Sequence, residues 1–294
     1  MTKQDKVLDF YRRQRGMSEP GAYSALYEPL PADAASLAVE VQGLILHLHV
    51  APAYGVTLSP ERQDEAHLRS VERILDRILA HDRRPLCETR SLDNRVIGTC
   101  RDFTLVLTSM LRAKGVPARA RCGFGTYFQA GQFVDHWVCE HWTAAESRWV
   151  RTDAQLDAVQ RDLFMPDFDV LDVPHDRFLI AGDAWAKCRS GALNPEQFGI
   201  MDMRGLWFVA GNVVRDFAAL NAVEMLPWDV WGAMAGPDAN FEDPHLLAMV
   251  DRLATLTQTP DAHFDEIRSM YESDPGLRVP ATVFNAVRQR TEAV

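Results

Sequence analysis

Residues 98–124 read GTCRDFTLVLTSMLRAKGVPARARCGF, and the rest of the fold is read outward from this stretch. From Cys100 to Lys114 the residues are apolar on nearly all sides, which predicts a helix buried in the middle of a domain. Gly115 supplies its C-cap and Pro117 forbids its continuation. Three strand-like segments follow: Ala118–Phe128, Phe133–Trp142 and Arg148–Asp153. A helix followed by consecutive strands reads as α+β, a central buried helix on an antiparallel sheet.

Upstream, Leu68, Val71, Ile74, Leu75, Ile78 and Leu79 recur at helical spacing, which predicts one amphipathic helix across Asp64–Asp82. The polar run RRPLCETRSLDNRVIG (83–98) reads as a loop. Residues 1–62 form a helical N-terminal extension broken by Pro20, Pro29, Pro31, Pro52 and Pro60. Residues 63–177 form the core. Residues 178–294 read as a mostly helical C-terminal region packed on that core, with helices at Leu206–Leu226 and Asp243–Leu256.

The whole chain has 294 residues, 47% of them hydrophobic and 24% charged, the composition of an ordinary globular protein. A net charge of −10 opposes binding to phosphate backbones and anionic lipid, so neither nucleic acid nor membrane is an expected partner. The longest apolar run near the start, Gly43–Val50, falls far short of the ~18 residues of a membrane span, and no signal core precedes it. An odd number of cysteines, five, with no short-range framework points to free thiols in a reducing compartment, the cytoplasm.

The chemistry concentrates at Cys100. A cysteine that opens a helix sits at the positive end of the dipole, which favours thiolate, and helix N–H groups there can receive the negative oxygen of a tetrahedral intermediate. A nucleophile also needs a base held by a third group. With Trp142 and Ser147 closing the hairpin around Thr143–Glu146, His136 stands opposite Asp153. His141 then falls on the other face, opposite Arg148. The triad in chain order is Cys100, His136, Asp153, with Asp157 as the rival acid. Asn94 is a candidate side-chain donor to the oxyanion. Cys122 and Cys139 read as inert packing. His47 and His49 alternate in an apolar run with no ligand at metal spacing, and read as structural or pocket-lining. No Walker loop, dinucleotide fingerprint, H-E-x-x-H or EF-hand occurs, so neither cofactor nor metal is expected.

Taken together, GTCRDFTLVLTSMLRAKGVPARARCGF, HWVCEHW and RWVRTD resemble the transglutaminase-like superfamily over roughly Asp64–Asp157. The resemblance implies a papain-like core with Cys100 as nucleophile, His136 as general base and acid, Asp153 orienting His136, and a structural role for Asp102. Two departures stand out: Cys139 replaces an apolar residue, and Asp153-Ala154-Gln155 replaces D-P-T. The function implied is cleavage or transfer of a peptide-like or small-molecule amide or acyl group through an acyl-thioester, with peptidase- or amidase-like hydrolysis favoured. The alternatives are amine acyl transfer (transglutaminase, amide-bond-forming or arylamine acetyl transfer) and a non-catalytic binding module on the same fold. The oligomeric state is left open.

Overall fold

The computed structural model describes residues 2–294, which form two compact units. The first contains residues up to Ala120 together with Trp137–Pro174, and the second contains Arg121–His136 and His175–Val294.

The first unit begins with α1 (Lys3–Arg12) and α2 (Ala34–Leu44). Thr2 and Asp5 close a reciprocal capping box on α1, and Asp33 accepts the Ser36 N–H to cap α2. The three-residue strand β1 (Ile45–His47) and the one-turn helix α3 (Pro60–Gln63) follow. The expected helix across Asp64–Asp82 is instead two pieces: a 3-10 turn at Asp64–His67, then α4 (Val71–His81). Ser70 takes the N-cap position of α4, and the carbonyls of Leu68 and Arg69, left out of any helix, accept from the Arg101 guanidinium.

The segment expected to be loop contains β2 (Val96–Gly98), which pairs parallel with β1. Next comes α5 (Cys100–Ala113), in which every residue from Cys100 to Arg112 is buried. It packs against α2 and touches α1 and α4. Its end is a Schellman motif: the N–H of Val116 reaches the carbonyl of Leu111, that of Gly115 reaches Arg112, and Gly115 adopts φ 77°.

The strands β3 (Ala118–Gly125), β4 (Phe133–Thr143) and β5 (Arg148–Thr152) come next, the unit boundary cutting β3 after Ala120 and β4 before Trp137. In the first unit, β5 pairs antiparallel with β4, and α5 meets β4 where the Thr108 hydroxyl approaches Cys139 Sγ at 3.3 Å. Phe103, Val106, Leu107 and Met110 share one core with Leu37, Val41, Leu75, Ile78, Cys139 and Ala154. Helix α6 (Ala158–Phe164), capped by Asp157, completes the helices of this unit.

In the second unit the strand order is β6-β3-β4-β7-β8, with β6 (Phe178–Ile180), β7 (Phe198–Ile200) and β8 (Met203–Arg204). Strand β7 runs parallel to β4, so the sheet is mixed and not wholly antiparallel. Between β6 and β7 the chain forms α7 (Ala181–Arg189), which packs with α8 (Leu206–Leu220) and, further on, α9 (Pro244–Gln258). Helix α8 stops six residues short of the expected end because Ala222 adopts φ 61° and the N–H of Val223 closes back on Ala218. The C-terminal region is not helical to its end: after β9 (Asp229–Val230) and α10 (Phe264–Ser273), β10 (Thr282–Asn285) and β11 (Arg290–Ala293) form a three-stranded sheet with β9. The architecture is α+β. No helix among the described residues is long and apolar enough to cross a membrane.

Candidate active site

Cys100 is the first residue of α5 and 7% exposed. The turn that places it there is held by its neighbours. Asp102 Oδ2 accepts both the N–H of Thr99 (2.7 Å) and its hydroxyl (3.2 Å), while Oδ1 accepts from Arg101 Nη1 at 2.8 Å. Asp102 thus has the structural role expected of it. Burial pushes its carboxyl above the ordinary range, against the pull of the Arg101 guanidinium and the Thr99 donors. Gly98 is required by close approach: a Cβ there would meet Asp102 and Ile45 Cγ2 at 3.0 Å. At the head of a fourteen-residue helix, Cys100 Sγ experiences the aligned peptide dipoles.

Asp153 also lies in the first unit, directly after β5 and 1% exposed. Its N–H donates to Val170 O (2.8 Å), and its Oδ1 accepts the N–H of Gln155 (3.0 Å). Gln155 is fixed in turn by Gln160, with Nε2 of each bonded to an oxygen of the other residue at 2.7 and 3.0 Å, and Gln160 Nε2 also reaches Tyr54 Oη. Asp157, the rival acid, is committed elsewhere: its Oδ1 accepts the Tyr54 hydroxyl (2.7 Å) and the Gln160 N–H (3.0 Å), capping α6.

The β4–β5 register differs from the expected one. Thr143 pairs with Arg148, Trp142 with Trp149, His141 with Val150 and Cys139 with Thr152, so each β4 residue faces a β5 residue two positions further along. The turn is Ala144–Ser147, with Ser147 at φ 52°, and the Trp142 and Trp149 rings meet edge to face at 5.7 Å. That aromatic pair, with Arg119 4.0 Å over Trp149, outweighs the Trp142–Ser147 pairing. Asp153 consequently comes level with Val138, not directly opposite His136. The shift is an even number of residues, so the faces assigned along β4 are unchanged. His141 does not meet Arg148; its Nε2 lies 3.2 Å from Thr152 Oγ1, and Arg148 binds Asp172 and Glu146.

His136 belongs to the second unit and is 2% exposed. Three aromatic rings surround its imidazole: Phe128 at 4.6 Å, Tyr127 at 5.8 Å and Phe178 at 6.2 Å. Beside it Asp135 is buried and accepts from Asn212 Nδ2 at 2.7 Å. Burial pushes the Asp135 carboxyl upward, opposed by the Arg215 guanidinium and the Asn212 bond.

No disulfide joins any of the five cysteines. Cys122 and Cys139 are fully buried on strands, and burial pushes the Cys188 thiol up to about 11. Asn94 closes a short 3-10 turn ahead of β2. His47, read as structural or pocket-lining, lies on β1 directly beside Gly98, two residues from Cys100. Its closeness depends on the parallel β1–β2 pairing, for which three-residue strands leave no periodic signal. Among the described residues no group of three or more His, Cys, Asp or Glu is gathered as a metal site requires.

Residues 79–154 match the family model of the transglutaminase-like superfamily, a span that includes Cys100, His136 and Asp153. The chain therefore carries a transglutaminase-like segment, of a superfamily that includes cysteine-dependent enzymes. Neither a curated protein nor a solved structure shows significant similarity to the chain.

Proposed function

We propose that this protein is a cysteine-dependent enzyme that cleaves or transfers an amide or acyl group through an acyl-thioester on Cys100. The observation that carries the reading is the position of Cys100 at the head of the buried helix α5, in a turn fixed by Asp102 and Arg101. His136 takes the thiol proton, Sγ attacks the carbonyl carbon, and the carbonyl oxygen becomes an oxyanion. When the intermediate collapses, His136 returns the proton to the leaving amine and the thioester remains. His136 then deprotonates the incoming water or amine, which releases the acyl group. Asp153 orients the imidazole and stabilises its cationic form. The closely packed rings around His136 support a site that keeps its imidazole partly out of water.

The substrate class is a peptide-like or small-molecule amide or acyl compound, with water as the favoured acceptor, and the setting is a reducing cytoplasm. Intact-mass spectrometry with a panel of peptide amides and thioesters, with and without an amine acceptor, tests the reading. An acyl adduct is expected on the parent and absent from Cys100→Ala. Adduct decay without amine identifies a hydrolase, and decay only with amine identifies an acyltransferase. No adduct with any probe would leave a non-catalytic binding module as the better reading.

A further inference from the structure

We infer that His47 donates a hydrogen bond to the oxyanion formed at Cys100, the side-chain part of an oxyanion hole. The inference rests on Cys100 being the nucleophile.

Four observations combine. First, β1 lies parallel to β2 with His47 opposite Gly98, and the N–H of Leu48 donates to Gly98 O at 2.8 Å, which ties this end of β1 to the backbone two residues before Cys100. Second, the His47 ring lies 6.4 Å from the Phe103 ring, tilted by 30°. Phe103 lies one turn along α5 from Cys100, so the imidazole lies by the first turn of the helix that carries the thiol. Third, Nδ1 of His47 accepts the N–H of His49 at 3.2 Å. A ring nitrogen that accepts is unprotonated, so the neutral ring carries its proton on Nε2. In this state Nε2–H is the ring's donor and the Nδ1 lone pair is already engaged, so the chemistry of the ring suits oxyanion stabilisation and not a second base. Fourth, His47 is 8% exposed and Cys100 7%, so both residues are largely shielded from water, the setting in which a hydrogen bond to an oxyanion is strongest.

Two reagents separate this role from a structural one. In acylation by 4-nitrophenyl acetate the C–S bond forms, the carbonyl oxygen passes through an oxyanion, and the C–O bond breaks as 4-nitrophenolate leaves. Alkylation by iodoacetamide displaces iodide at a saturated carbon and forms no oxyanion. His47→Phe keeps a ring against Phe103 without a donor, and His47→Gln keeps an N–H donor without the ring. Acylation of Cys100 is expected to fall roughly 10²-fold in His47→Phe and to recover most of that loss in His47→Gln, with alkylation at the parent rate in both. Acylation of His47→Phe at the parent rate overturns the inference. So does an equal fall in acylation and alkylation, or a His47→Gln variant as slow as His47→Phe. A parent protein whose Cys100 is not alkylated at all fails at the earlier step, the nucleophile itself.

Discussion

Arg101 and Asp102, adjacent in sequence, form a buried ion pair at 2.8 Å, with side-chain exposures of 0% and 4%. The same guanidinium reaches the carbonyls of Leu68 and Arg69, and the same carboxylate holds the Thr99 N–H and hydroxyl. The pair therefore joins the break before α4 to the turn that presents Cys100. Arg101→Met leaves the Asp102 charge buried without its cation and removes both carbonyl contacts. Urea unfolding should show a loss of about 3–5 kcal/mol, partly recovered in Arg101→Met/Asp102→Asn. A loss below about 1 kcal/mol would mean the pair is dispensable.

The Asp153 carboxylate is held at a distance by Tyr54, through Gln160 and Gln155. Tyr54→Phe removes the one hydroxyl that both donates to Asp157 and accepts from Gln160. The expected cost is about 1–2 kcal/mol, accompanied by slower acyl-enzyme formation at unchanged alkylation of Cys100. Unchanged acylation would separate this network from Asp153.

The helix and strands around Cys100 were legible because each has its own local signal: the all-round apolar run of Cys100–Lys114, its Gly115 and Pro117 stop, and the period-two strands after it. The features that were not legible are settled by distant partners. The break at Leu68–Ser70 is stabilised by Arg101, about thirty residues away. The β4–β5 register is fixed by the Trp142–Trp149 pair and by Ser147 in the left-handed region, a conformation Ser rarely announces. Helix α8 ends on a left-handed Ala222, where no glycine marks the stop. The three-residue strands that bring His47 beside Gly98 are too short to show any period.

Burial holds the imidazoles of His49 and His141 below the ordinary histidine range. The unfolded chain protonates these rings near pH ~6.5 while the folded chain does not, so the unfolded state binds more protons there. Their stabilisation is complete above about pH 6.5 and is lost as the pH falls. Thermal midpoints between about pH 7.5 and 5 should decline, and His141→Asn should flatten that decline. A His141→Asn profile parallel to the parent's would show that His141 does not carry this dependence.

Cys139 Sγ lies 3.3 Å from the Thr108 hydroxyl, whose proton goes to Thr104 O in a second, shorter contact of 2.8 Å. Because that second bond survives, Cys139→Val should cost less than about 1.5 kcal/mol in urea unfolding. A larger loss would show that the sulfur is needed for more than its volume.

The pH dependence of Cys100 alkylation by iodoacetamide, followed by peptide mass spectrometry in the parent and in His136→Ala, is the most direct test of the thiolate. Cys100 should react fastest of the five cysteines, with an apparent pKa well below the ~8.5 of a free thiol, moving upward when His136 is removed. A Cys100 that titrates at or above the free-thiol value, or whose profile is the same without His136, would contradict an activated thiolate served by that imidazole.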